Sequence, residues 1–186
     1  MPRAVVITGP SGVGKGTLIR SLRTRMPELQ LSVSATTRRP RTGETQGEDY
    51  HFMTPAEFEQ HVLDGDFVEH AEYAGARYGT LRSELETRTA GGAPVVLEIE
   101  VQGARQIRET MPEAVQVFIA PLTIAALRAR LVGRGTDAPE QVEARLRTAE
   151  EELAAQDEFA RVVTNDRLED AVEELVEIVR DTMASG

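Results

Sequence analysis

An α/β fold, with a parallel sheet flanked by helices, is predicted by three observations. The apolar run Ala4-Val5-Val6-Ile7 opens directly onto Gly9-Pro10-Ser11-Gly12-Val13-Gly14-Lys15-Gly16-Thr17, and helical spacing follows. Short apolar strands then alternate with amphipathic helices to the end of the chain. An apolar content of 40% over 186 residues is enough for one core and requires no separate second domain.

The glycine-rich stretch reads as a phosphate-binding loop. Glycines lack Cβ, so successive N–H groups can converge on phosphate oxygens, and the following helix adds the positive end of its dipole. Lys15 would supply a compact charge to the β- and γ-phosphates, a task the wide guanidinium of Arg does poorly. The chain holds twenty Arg and a single Lys, residue 15, so lysine stands only where arginine cannot serve. In the common pattern Ser or Thr follows the Lys, for Mg²⁺. Here Gly16 takes that position, which leaves Thr17 as the metal candidate, directly or through water.

Composition excludes several functions. Without Cys there are no disulfides, thiol nucleophiles or zinc–thiolate sites, which fits a reducing, cytoplasmic compartment. No apolar run approaches a membrane span, and the N-terminus enters the loop where a signal peptide would need a longer apolar region. A net charge of −10 disfavours nucleic acid, while small anions held by a few arginines remain allowed.

After the loop, Leu18, Ile19, Leu22 and Met26 mark a helix that Pro27 stops, and Leu29 to Ser34 alternates as a strand. Residues 34 to 52 are rich in hydroxyls and guanidiniums, with Arg38, Arg39 and Arg41 within four positions. Like charges so close call for a shared negative partner, and a substrate phosphate would be one; a solvated basic loop is the alternative. Thr54-Pro55-Ala56-Glu57 has the spacing of a capping box, with Pro at the first helical position. Phe67 to Tyr73 alternates as a strand on which Glu69 is an acid among apolar neighbours. Tyr78-Gly79-Thr80 leads into a short helix ending at Gly91-Gly92. Val95 to Glu100 is a buried-type strand with Glu98 and Glu100 at its exit, where a parallel sheet places its ligands and where an acid for Mg²⁺ should stand. A helix over 102–110, a strand over 115–120 and a helix from Thr123 follow. Gly133-Arg134-Gly135-Thr136 breaks that helix, and a polar helix then starts from Asp137 and Glu140, again at capping-box spacing. The pair reads as a hinged lid or as an exposed helical hairpin. A strand over 161–164 and a helix over 166–183 close the chain. His51, His61 and His70 have no ligand spacing.

Several of these stretches together resemble the guanylate kinase family: the loop from Gly9 to Lys15, Ser32-Val33-Ser34-Ala35-Thr36-Thr37-Arg38 with Pro40-Arg41 and Gly43-Glu44, Asp49-Tyr50-His51-Phe52, Tyr78-Gly79, Val101-Gln102-Gly103, and Arg130-Leu131 with Gly133-Arg134-Gly135-Thr136. The resemblance spans nearly the whole chain. It implies a P-loop NTPase-like core over about 1–33, 92–125 and 157–186, a small α+β GMP-binding insertion over about 34–91 and a helical lid over about 126–156. It also implies transfer of the γ-phosphoryl group of ATP to GMP or dGMP, with Mg²⁺ and no obligate protein partner. By that similarity Ser34, Arg38, Arg41, Glu44, Tyr50, Glu69, Tyr78 and Thr80 would hold GMP. Arg130, Arg134 and Arg145 would close over the phosphates, the last two with Lys15 as the catalytic cations. Glu98 and Glu100 would contact GMP or the metal, Glu98 being the metal candidate. The family often has Asp at those two positions, and Ser where this chain has Thr80 and Gly16. Two other readings compete with this one: an inert protein-binding module of the same fold, and a kinase with a different phosphorylated acceptor. A GTPase switch is disfavoured, because its Asn-Lys-x-Asp-type guanine motif would need a second lysine.

Overall fold

The computed structural model describes residues 4–73, 75–133 and 139–184, with side chains given outside 133–141. In chain order the elements are β1 (Ala4–Thr8), α1 (Lys15–Arg25), β2 (Gln30–Leu31), β3 (Ala35–Thr36), β4 (His51–Phe52), α2 (Pro55–Leu63), β5 (Phe67–Tyr73), β6 (Ala76–Leu81) and α3 (Arg82–Thr89). They continue with β7 (Val95–Glu98), α4 (Val101–Thr110), β8 (Val115–Ala120), α5 (Ile124–Gly133), α6 (Pro139–Leu153), β9 (Arg161–Thr164) and α7 (Leu168–Ala184).

The main sheet has five parallel strands in the order β2-β7-β1-β8-β9. Every residue of β1 is buried, as a central strand covered on both faces must be. Its side chains alternate between two cores. Val5 and Ile7 join Val96, Val117 and Ile119 under α1 and α7, while Ala4 and Val6 join Val95, Leu97 and Phe118 under α4. From β1 the chain builds outward first to β2 and β7, then on the other side to β8 and β9. The loop after β1 therefore lies at the point where the strand order reverses, the crevice in which open α/β sheets hold ligands.

A second sheet, β4-β3-β6-β5, lies between β2 and β7 in sequence. The expected strand over 29–34 is split, because the chain leaves the main sheet at Leu31 and enters the second one at Ala35. β6 was not expected, since Arg77-Tyr78-Gly79-Thr80 carries no apolar alternation. Gly79 is required in it: a Cβ there would stand 2.8 Å from both Glu69 O and Phe67 Cδ1. The capping box of α2 forms as its spacing predicts, Glu57 N donating to Thr54 Oγ1 (3.2 Å) and Thr54 N to Glu57 Oε2 (2.7 Å). Phe58 of α2 stacks on Phe67 with centroids 4.6 Å apart and forms the small core under this sheet with Ala35.

Glu84 of α3 fastens the two sheets together. Its carboxylate accepts Val33 N at 3.0 Å and Arg88 Nε at 2.7 Å, and it pairs with His51 Nε2 at 3.0 Å. Burial works to raise its pKa, but Arg88, the Val33 amide and His51 together hold the carboxyl below its ordinary value. Replacing Glu84 with Ala leaves a buried amide and a guanidinium without their acceptor. The expected loss is about 2 kcal/mol, a fall of about 4–8 °C in Tm by thermal unfolding.

Candidate active site

At the carboxyl end of β1 the backbone turns through Gly9, Gly12 and Gly14, with φ of 139°, 82° and 100°, values that L side chains rarely adopt. Gly9 and Gly14 also have no room for a side chain. A Cβ would meet Ile119 O at 2.3 Å at the first and Asn165 Nδ2 at 2.7 Å at the second. Lys15 begins α1, is 8% exposed, and donates from Nζ to Gly9 O (2.6 Å) and Pro10 O (3.3 Å). Its ammonium thus rests on two loop carbonyls, where an anion would complete its coordination. At Gly16 a Cβ would meet only Arg20 Nη1, at 3.9 Å, so glycine there is not forced by packing. Thr17 is exposed, and its Oγ1 accepts Arg20 Nη2 at 3.1 Å.

The loop is held from behind by residues of the last third of the chain. Val13 O accepts both Arg130 Nη1 (2.9 Å) and Asn165 Nδ2 (2.8 Å), and Arg130 Nη2 reaches Asn165 O at 2.7 Å. Arg130, expected over the phosphates, has both these nitrogens on carbonyls. From α6, Arg145 Nη2 donates to Ser11 Oγ (3.1 Å) and Glu152 Oε2 accepts Ser11 N (3.1 Å). Burial, and then the adjacent Glu100 carboxyl, push the Glu152 pKa up. α6 is packed, with Val142, Leu146 and Ala149 in the core beside Leu127 and Leu131, so it is no fully exposed hairpin. Arg134 and the capping spacing from Asp137 lie outside the described residues.

Near the loop, where Glu98 feels the Lys15 charge, lies a cleft of about 320 Å³ whose lining includes Ser34, Tyr50, Glu69, Tyr78, Glu98 and Glu100. Six residues singled out from sequence are thus brought to one cavity. Glu69 is 5% exposed, and its Oε1 accepts the hydroxyl of the buried Thr80 at 2.7 Å. Burial pushes its carboxyl up to about 7, against the Thr80 bonds that lower it, with Glu100 adding to the rise. Such a group is held ready for hydrogen-bond donors that water does not supply. Glu98 opens to solvent at the end of β7; burial among protein atoms raises its pKa, Lys15 and Arg20 lower it, and Glu100 raises it. Glu100 Oε2 and Ser32 Oγ are buried with no hydrogen-bond partner among the described residues, as expected of atoms that await a ligand.

At the cleft rim Arg38 grips Glu44 in a two-pronged pair (3.0 and 2.8 Å), and Arg41 N donates to the same carboxylate at 2.7 Å. Arg38 therefore has an internal negative partner, which the reading of its loop as held by substrate alone did not include. Its guanidinium also stands 5.1 Å over the Tyr50 ring, which meets Tyr78 edge-on at 6.1 Å. The Arg41 side chain is exposed. His51 and His61 pair with Glu84 and Asp66, as structural histidines do. Sequence reasoning missed Asn165, Glu152 and Glu84. Asn165 follows a strand exit, a position that could have flagged it; Glu84 and Glu152 look like ordinary helix-surface acids.

A guanylate kinase family model matches residues 1–182. The guanylate kinase of Synechococcus sp. (strain CC9311) is 53% identical over 173 residues, covering 93% of this chain and 91% of that protein. That of Mycolicibacterium paratuberculosis is 50% identical over 182 residues, 97% and 82% of the two. Among solved structures, the crystal structure of guanylate kinase from Anaplasma phagocytophilum superposes with a TM-score of 0.75 at 30% identity, covering 97% of this chain and 85% of that one. With a parallel sheet, a glycine cradle and an acid-lined cleft in place, the chain belongs to the guanylate kinase family.

Proposed function

We propose that the cleft is the acceptor site and the glycine loop the donor site for phosphorylation of GMP by ATP, the activity its family carries, with dGMP as a second acceptor. The observation that carries this division is Glu69, a buried carboxylate that lines the cleft. Guanine presents N1–H and its 2-amino group as adjacent donors, and one carboxylate accepts both; adenine has an acceptor at N1 and is mismatched. Thr80, Ser34 and Glu100 surround the same base. Arg38, Arg41, Tyr50 and Tyr78, with Glu44 orienting Arg38, hold the GMP phosphate at the rim.

That phosphate is ionised at neutral pH, so no strong general base is needed. Catalysis rests on alignment and charge neutralisation. The loop amides and Lys15 hold the β- and γ-phosphates, Arg130 fixes the loop through Val13 O, and the charges of Arg134 and Arg145 would offset the negative charge that spreads in the transition state. A hard cation bound through one carboxylate and substrate phosphates would be held by Glu98, with Thr17 as a second candidate, directly or through water. Bound there, Mg²⁺ would neutralise the β/γ oxygens. The segments 34–91 and 126–156 act as acceptor region and lid on the core formed by 1–33, 92–125 and 157–186. No helix of the described residues is long and apolar enough to cross a membrane, and a cytoplasmic place fits these substrates.

A coupled assay with ATP and Mg²⁺ tests the reading. GMP should be the best acceptor, dGMP weaker, and AMP, CMP and UMP poor. No turnover with GMP, or AMP equal to GMP in kcat/KM, overturns it.

A further inference from the structure

Gly103 lies in the first turn of α4, in ordinary helical backbone where no positive φ calls for glycine. A Cβ at that position would nevertheless stand 2.4 Å from Glu69 Oε2, 3.1 Å from Glu69 Cδ and 3.5 Å from Glu69 Cγ. All three nearest atoms belong to the side chain assigned above to guanine. On its other side, Glu69 Oε1 is tied to Thr80 at 2.7 Å, and Gly79 packs against Glu69 O so closely that a Cβ would come within 2.8 Å. The carboxylate is therefore seated between a hydroxyl and a bare patch of helix backbone, with Gly103 itself on the cleft wall.

We infer that Gly103 is a positioning residue for guanine recognition: by having no side chain it leaves the Glu69 carboxylate the space in which to face the base. The inference rests on the assignment of Glu69 to guanine. A methyl group at residue 103 forces Oε2 to withdraw by about 1 Å to reach ordinary contact, and the open direction is the cleft, the volume the purine needs. The fold is not the part that gives. The clash is with the tip of one side chain, and alanine is a better helix former than glycine. The cost falls on the base, because displacement of about 1 Å in a recognition geometry is worth up to about a hundredfold.

The test is a comparison of Gly103→Ala, Glu69→Ala and the double variant, each assayed for KM and kcat with GMP and with ATP and followed by thermal unfolding. Gly103→Ala should raise KM for GMP by about 10- to 100-fold, leave KM for ATP and the unfolding midpoint near the parent values, and change kcat far less than KM. In the double variant the Gly103 change should add nothing to the loss caused by Glu69→Ala, since the group it displaces is gone. The inference is overturned if Gly103→Ala uses GMP like the parent, if it unfolds, or if the two losses multiply. A parent-like KM for GMP in Glu69→Ala would instead remove the assignment of Glu69, and the inference with it.

Discussion

Replacing Lys15 with alanine is expected to lower kcat by about three orders of magnitude or more while the protein stays folded. The ammonium is the one lysine charge of the chain, and it is held by the loop, 2.6 Å from Gly9 O. Charge that builds on the β/γ oxygens during transfer is stabilised there in a site with little water, where a fixed cation is worth several kcal/mol. The same substitution removes only two hydrogen bonds to Gly9 and Pro10 carbonyls from the free protein, and it relieves a buried charge. Single-turnover rates should therefore collapse while the circular dichroism spectrum and Tm change little. Parent-like turnover in Lys15→Ala would take the residue out of the mechanism.

Glu69→Gln should cost about 10²- to 10³-fold in kcat/KM for GMP and leave ATP binding as it is. The amide keeps the shape but turns an NH₂ group towards the two donors of guanine, leaving buried groups unpaired. The parent should also carry a pH signature that the variant lacks. Burial raises the Glu69 pKa from an ordinary 4.5 to about 7, so below neutrality the free protein carries it protonated, whereas guanine needs the ionised form. GMP should then bind more tightly, with proton release, as pH rises towards 7, by up to about tenfold per unit, and level off above. In the unliganded protein the sign is opposite. A raised pKa contributes stability that is complete below about 4.5 and is lost as pH rises through about 7. Calorimetry of GMP binding in buffers of different ionisation enthalpy, with the Glu69→Gln variant as reference, measures the first effect. Identical pH profiles for the two proteins would refute it.

Much of this site is legible in the amino-acid sequence, for physical reasons. The phosphate loop depends on local backbone chemistry, so Gly9 to Lys15 declares itself in seven consecutive residues. The strands β7 and β8 are covered along most of their length and appear as apolar runs, and Glu69 stands out because an acid interrupts an apolar alternation. What escaped depends on partners distant in sequence. Glu84 is bonded to Val33 and His51, Glu152 to Ser11, and Asn165 to Val13, over separations of 33 to 152 residues. Nothing in the helices that carry Glu84 and Glu152 distinguishes them from solvated acids. β6 was missed because its glycine is selected by the Phe67 ring and Glu69 carbonyl across from it, a constraint visible only once the two strands pair.

The double acceptance at the Val13 carbonyl bears on polarity as well as on rigidity. A peptide that turns its N–H towards an incoming polyanion must send its oxygen the other way, and an oxygen left loose could swing round and repel the ligand. Arg130 and Asn165 anchor that oxygen on the rear side. The sign of the electric field met by the nucleotide at the N-terminal end of the chain is thus maintained by side chains more than a hundred residues downstream.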